Sequence, residues 1–304
     1  MTERHKALWA LIIGVLFWGI SFISTKVTVA VFPPMTLGFF RFAIALVFLF
    51  VIKGRLAPKE KLRGRDIPLL CGAGLTGVTL YFFCENNGVS LVTASEASII
   101  TGAIPVLTMA AEWAGGRLSL MPKERPGGRR WLGAAVSVAG VWLVAGVSFA
   151  LSGSLRGYAY MGGAALSWVA YCFLTRPLFA RRAGGHSAGS GRIYIVFWQS
   201  VFGAAGFLPF AIAEYPQWGR PDIPVLLHIV FLGICCSALG YWLYAHSLEV
   251  LGVSVSSVFI NFIPVVTVIG GFFLLGERLE PLQWLGAVLV LGGVYLTMAE
   301  AKKR

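Results

Sequence analysis

Two tryptophans, Trp18 and Trp168, sit in matched stretches, LFWGISFISTKV (16–27) and LSWVAYCFLTRPL (166–178), which also align Lys26 with Arg176. Each lies about eleven residues into a long apolar run, which at about 1.5 Å per residue is mid-bilayer depth for a spanning helix. Tryptophan more often marks the headgroup belt, a role that fits Trp9, Trp131 and Trp284 near the ends of apolar runs. At mid-depth an indole offers a flat apolar face and one N–H donor, suited to lining a cavity that binds a small amphipathic molecule. Helical spacing puts Ser21 and Phe22 on the face of Trp18, and Tyr171 on the face of Trp168. A second group gathers at Tyr81 and Glu85, four residues apart, with Asn86 adjacent, and the matching later stretch offers Tyr241, Tyr244 and His246. This chemistry is recognition. Catalysis would need a nucleophile with its base, a metal cluster or a carboxylate pair at one depth, and the sequence shows isolated carboxylates.

Ionisable groups inside apolar runs cost about 2.5–3.5 kcal/mol on insertion scales, so they should face protein or water and find a partner. Glu85, Arg41 and Lys26 all fall in the outer third of their runs, which makes a mutual ion pair feasible; Glu112 and Arg176 fall together near the opposite end. Two readings stand open for these groups: charge neutralisation between packed helices, or binding of substrate or a proton, with Glu85 the best-placed proton carrier. Glu96 closes a capping box, Thr93-Ala94-Ser95-Glu96, at the start of a helix. The five cysteines lie within apolar runs without Cys-x-x-Cys spacing and read as small apolar filler, so neither metal, cofactor nor disulfide is expected.

The elements that must position these residues follow from composition. With 57% hydrophobic and 12% charged residues and a mean hydropathy of +0.78, the chain has too little polar surface for a soluble globule of 304 residues. Runs long enough to cross a bilayer fall near 7–29, 34–52, 67–88, 94–115, 131–148, 157–178, 193–213, 224–247, 255–275 and 282–299. The first, preceded by Arg4 and Lys6, exceeds a signal-peptide core and has a mid-chain counterpart, so it reads as a retained helix. The fold class is therefore all-α and integral to the membrane, with ten spans.

The spans come as two sets of five. Ile104-Pro105-Val106-Leu107-Thr108 parallels Ile263-Pro264-Val265-Val266-Thr267, and WLGAAVSVAGVWLV from Trp131 matches WLGAVLVLGGVYLT from Trp284 at seven of fourteen positions. Residues 1–148 and 149–304 are thus expected to be duplicate units. Because five is odd, the second enters the membrane from the opposite side, which makes the repeats inverted, an arrangement found in secondary transporters with the substrate site near the midplane. Pro105 and Pro264 should each kink a helix and free the carbonyl four residues back, at 101 and 260. Such groups persist in a bilayer only beside protein or a water-filled cavity, which draws Thr101 and Asn261 towards it and makes the prolines candidate gating hinges. Gly133, Ser137 and Gly140, like Gly286 and Gly293, form small-residue faces for scaffold or subunit contacts, in a monomer or homodimer.

The net charge of +12 does not point to nucleic acid. Threading the spans with the N-terminus inside puts nineteen of the twenty-five Lys and Arg on one side, the positive-inside signature, so both termini should be cytoplasmic in a cell inner membrane. The loops at 53–66 and 117–130 then lie inside, and those at 149–156 and 214–223 outside. No Gly-Lys pair occurs, hence no P-loop for ATP.

Several of these motifs together resemble the EamA family of the drug/metabolite transporter superfamily: Leu-Phe-Trp-Gly-x-Ser-Phe, Phe-Phe-Arg-Phe-Ala-Ile-Ala-Leu (39–46), the run from Ala94 to Val106, Gly-Glu-Arg-Leu (276–279) and the two Trp-Leu-Gly-Ala helices. The resemblance covers nearly the whole chain and implies two inverted five-helix repeats around a central cavity. It also implies transport, usually export, of amino acids or other small metabolites. The first half departs from it by reading Gly115-Gly116-Arg117-Leu118 where the second has Gly-Glu-Arg-Leu. Uptake of a vitamin-like or nucleotide-like compound, efflux of a toxic cation, and a non-transporting sensor or subunit are the competing readings.

Overall fold

The computed structural model of the chain describes residues 2–92, 94–117, 127–144, 155–182, 188–275 and 281–301. The Gly-Glu-Arg-Leu run, residues 118–126 of the loop at 117–130, residues 149–154 of the loop at 149–156, Thr93 and the side chain of Glu96 lie outside the described residues.

Among the described residues every regular element is helical. The first half runs through α1 (Glu3–Thr28), α2 (Pro34–Leu56), α3 (Ile67–Gly74), α4 (Tyr81–Leu91), α5 (Ala94–Thr101), α6 (Ile104–Arg117) and α7 (Gly128–Val144). The second runs through α8 (Leu155–Arg182), α9 (Ala188–Glu214), α10 (Ile223–Phe231), α11 (Gly240–Leu251), α12 (Val253–Phe259), α13 (Phe262–Leu275) and α14 (Pro281–Ala301). Local chemistry sets the ends. Pro34 opens α2, where its missing N–H is no loss, and the Asp222 carboxylate accepts from Val225 N at 2.9 Å to cap α10. Both third elements widen into a π-helical stretch, Leu75–Leu80 between α3 and α4 and Leu232–Leu239 between α10 and α11. Both fourth elements break just before the echoed proline, α5 from α6 and α12 from α13.

Among the described residues six stretches are long and apolar enough to cross a membrane: Glu3–Thr28, Pro34–Leu56, Gly64–Leu91, Ser190–Gln217, Ile223–Leu251 and Val253–Gly270. The contacts between halves recur with the halves exchanged. α1 packs on α11 and α13 as α8 packs on α4 and α6; α2 packs on the second π-helical stretch as α9 packs on the first; α5 meets α13 as α12 meets α6.

α7 and α14 lie antiparallel along a seam of small residues. A Cβ added to Gly133 would sit 2.6 Å from Gly293 O, and one on Gly140 would sit 2.6 Å from Val290 N, so backbone meets backbone. The small faces expected at scaffold or subunit contacts are used inside the chain.

A second tie joins α9 to the start of α2. Glu214 Oε2 accepts from Thr36 N at 2.7 Å and from Thr36 Oγ1 at 2.8 Å, and Trp218 Nε1 donates to the same hydroxyl at 2.8 Å. The carboxylate thus meets N–H groups that have no partner within the helix, at the positive end of its dipole. Glu214→Ala should cost about 2 kcal/mol, because charged hydrogen bonds contribute about 1.5–3 kcal/mol. A melting temperature in detergent equal to that of the wild type would show the tie to be idle.

Candidate functional site

Where the halves meet, six aromatic side chains form one cluster. Trp18 and Trp168 stand edge to face, ring centroids 5.2 Å apart at 87°. Tyr241 and Tyr244 contact both, at 6.0 and 5.1 Å from Trp18 and 5.6 and 5.4 Å from Trp168. Tyr81 and Tyr171 each lie 5.0 Å from Trp168. Edge-to-face pairs contribute about 0.5–1.5 kcal/mol each beyond buried area, so the cluster is a cohesive plug.

The π-helical stretches make this approach possible. Gly77 and Gly240 lie within or just after them, and a Cβ there would strike the Tyr171 ring and, at 2.7 Å, Trp18 Nε1. Carbonyls of these stretches take donors from the opposite half: Trp18 Nε1 donates to Cys236 O at 3.0 Å, Ser167 Oγ to Thr76 O at 2.6 Å, and the Tyr241 hydroxyl to Gly77 O. Wide turns of this kind recur at functional sites.

On one side of the Trp pair lies a small cavity, about 20 Å³, lined by Trp18, Ser21, Phe22, Tyr81, Glu85, Thr101, Trp168 and Tyr241 among the expected residues. That is room for about one water. Ile104, Ile260 and Ile263 also line it, so the helix breaks before Pro105 and Pro264 both reach this space. Arg41 and Phe82, absent from the expected binding set, complete it. The signal for Arg41 was its charge within an apolar run, which spacing alone assigned equally well to an ion pair.

Several expectations are corrected by these neighbours. Lys26 does not pair with Glu85: its ammonium donates to Val89 O at 2.7 Å and Val92 O at 2.8 Å, capping the end of α4. Asn86 and Asn261 are not part of the cavity's lining; Asn86 donates to Pro34 O at 2.8 Å, and Asn261 donates to Ser137 Oγ at 2.7 Å on α7. One-face spacing could not distinguish a helix's cavity side from its packing side. His246 faces Arg192 instead of the aromatic cluster. The expected free carbonyl at 260 accepts from Ile263 N at 2.9 Å, because the chain turns tightly between two helices instead of kinking one. Tyr171 and Tyr244 stand within the cluster, outside the small cavity's lining.

Beyond the cluster lies a larger cavity of about 310 Å³, bounded by Glu112, Arg130, Arg176, Leu248 and the Gly252–Val255 segment. Cys172 joins the two regions, lining this space while its Sγ lies 3.7 Å from the Tyr244 hydroxyl. Ser254 donates to the Glu112 carboxylate. Ala180 and Gly252 on its border are exposed. The Gly252–Val255 segment carried no motif in the sequence; only the fold brings it here.

The model of the EamA-like transporter family matches residues 5–146 and again 155–299. A probable terminal-alkyne amino-acid exporter of Streptantibioticus cattleyicolor is 27% identical over 97% of this chain and 94% of its own length. A probable amino-acid metabolite efflux pump of Escherichia coli K12 is 27% identical over 97% and 95%. A crystal structure at 19% identity covers 99% of both chains with a TM-score of 0.75, a likeness of fold. The aromatic plug between two cavities therefore sits in a membrane transporter, and the chain belongs to the EamA-like transporter family.

Proposed function

We propose that the chain is a secondary transporter that exports small metabolites, amino acids or related amphipathic compounds, by alternating access between inverted repeats at 1–148 and 149–304. The observation that carries this reading is the aromatic plug. Side chains from both halves close between a buried cavity of about 20 Å³ and a cavity of about 310 Å³ whose border is exposed. Small-molecule sites run to about 300–1,000 Å³, so the larger space is of ligand size and the smaller one must widen to take substrate. The recurrence of most inter-half packing contacts with the halves exchanged supports the two-repeat reading. The names of the Streptantibioticus and Escherichia relatives support amino acids or their metabolites as cargo.

The larger cavity lies towards the ends of α6 and α8 and the start of α7, which flank the basic stretches around Arg117–Arg130 and at Arg181–Arg182, and in a positive-inside topology that makes it cytoplasmic. Substrate then loads from inside, the plug parts, and the small cavity widens outwards. Parting breaks hydrogen bonds such as Trp18 to Cys236 O, worth about 0.5–1.5 kcal/mol net each, a cost substrate contacts can offset. The breaks between α5 and α6 and between α12 and α13 serve as hinges.

Counterflow of a pooled metabolite library into proteoliposomes, read by mass spectrometry, tests the function; amino acids should exchange, and a library that yields no exchanging compound sinks it. Orientation is tested separately by impermeant thiol labelling of single cysteines. Position 60 should be protected and position 219 labelled from outside, and labelling at 60 would reverse the topology.

A further inference from the structure

We propose that Arg41 takes the carboxylate of the substrate and Glu85 its ammonium group, so that the small cavity selects zwitterions. This rests on the amino-acid export reading above and adds the chemistry of selection.

Arg41 and Glu85 are 1% and 2% exposed and line the same cavity. A buried guanidinium carries five N–H donors and needs acceptors for them. Here Nε donates to Ser237 Oγ at 2.9 Å and the guanidinium lies 4.0 Å over the Phe82 ring. These contacts hold the planar fork from two directions. Its buried Nη1 has no acceptor. Among the described residues Arg41 forms no ion pair with a carboxylate within 4.0 Å, although Glu85 lines the same cavity.

Two opposite charges meant only to neutralise each other gain most from direct contact, where a bidentate Arg–carboxylate pair forms. Arg41 is instead held by Ser237 and Phe82, leaving a cation and an anion on one cavity wall, each able to meet the opposite pole of a bound molecule. An amino acid carries both poles. Trp18, Trp168 and Tyr81 line the same cavity, and aromatic walls suit an apolar side chain and can add cation–π attraction for the ammonium.

The test uses the full-length protein in proteoliposomes. Counterflow is first measured with a pool of the proteinogenic amino acids, then with the best-transported one, its methyl ester and its N-acetyl derivative. Wild type should favour the free amino acid over both derivatives by about tenfold or more, the loss expected when one charged hydrogen bond is removed. Arg41→Gln should erase the preference over the ester while the ester itself is still carried, and Arg41→Lys should restore part of it. Glu85→Gln should erase the preference over the N-acetyl derivative. If Glu85→Gln instead loses only gradient-driven accumulation and keeps its selectivity, Glu85 carries a coupling proton and that half of the proposal fails.

Equal wild-type transport of acid and ester overturns the role of Arg41 while leaving amino-acid export intact; a pool in which no amino acid exchanges overturns both. Proportional loss of acid and ester in Arg41→Gln also defeats the proposal, as a purely structural arginine would behave so. Should Arg41→Gln not accumulate in the membrane, Ser237→Ala decides. Loosening the guanidinium should raise KM for the free acid more than for the ester, and an equal effect on both counts against it.

Discussion

Trp168→Ala and Trp18→Ala should each lose at least about thirtyfold in counterflow, since central aromatic anchors at binding surfaces cost about 2 kcal/mol or more when truncated. Trp168 contacts Trp18, Tyr81, Tyr171, Tyr241 and Tyr244, so under the proposed mechanism its removal opens the plug and strips substrate contacts together. Because a large buried aromatic truncated to alanine also costs about 3–5 kcal/mol of stability, the variants must be compared at matched membrane expression by fluorescence-detected size exclusion. Trp18→Phe separates the two effects. It keeps an aromatic ring in the cluster while removing the donor to Cys236 O and part of the indole's bulk, so it should fold and transport at an intermediate rate. Alanine variants that both transport like wild type would reduce the tryptophans to packing residues.

Gly293→Leu should prevent accumulation of folded protein, whereas Gly292→Leu, one residue away, should be neutral. A Cβ on Gly293 would collide with the Gly133 carbonyl and lie 2.6 Å from Ser137 N and 2.7 Å from Ser137 Cβ, mostly backbone that cannot step aside without separating α7 from α14. At Gly292 nothing lies within 4 Å. Overpacking typically costs about 1–3 kcal/mol, and a leucine against backbone belongs at or above the top of that range. Helix association in a bilayer depends on close packing of small residues, with little hydrophobic drive to compensate. Monodispersity and melting temperature in detergent provide the comparison, and equal behaviour of the two variants would show that the seam does not hold the bundle together.

Much of the candidate cavity's lining was legible because it rests on short-range regularities. Trp18 and Trp168 stand out by depth and by their matched contexts, and helical spacing places Ser21, Phe22 and Tyr171 beside them. The echoed Ile-Pro-Val stretches marked where both fourth elements break. Spacing is silent about what lies across a helix interface. Asn86 and Asn261 share the neighbourhood of cavity residues yet donate to Pro34 O and Ser137 Oγ, and Lys26 reaches the carbonyls of α4 instead of Glu85.

What the sequence determined by itself was class: an apolar, helical membrane chain with echoed segments and the motifs of the EamA family, all properties of composition, periodicity and local pattern. Tertiary structure decided which polar groups are committed and which remain available. Arg41 is held by Ser237, 196 residues away in the chain, and Trp18 by Cys236, 218 residues away. Such long-range pairs depend on how helices from the two halves cross, and no local spacing encodes that crossing. The same holds for the aromatic plug, whose closure depends on Gly77 and Gly240 admitting side chains from the opposite half to π-helical turns that widen only in the folded bundle.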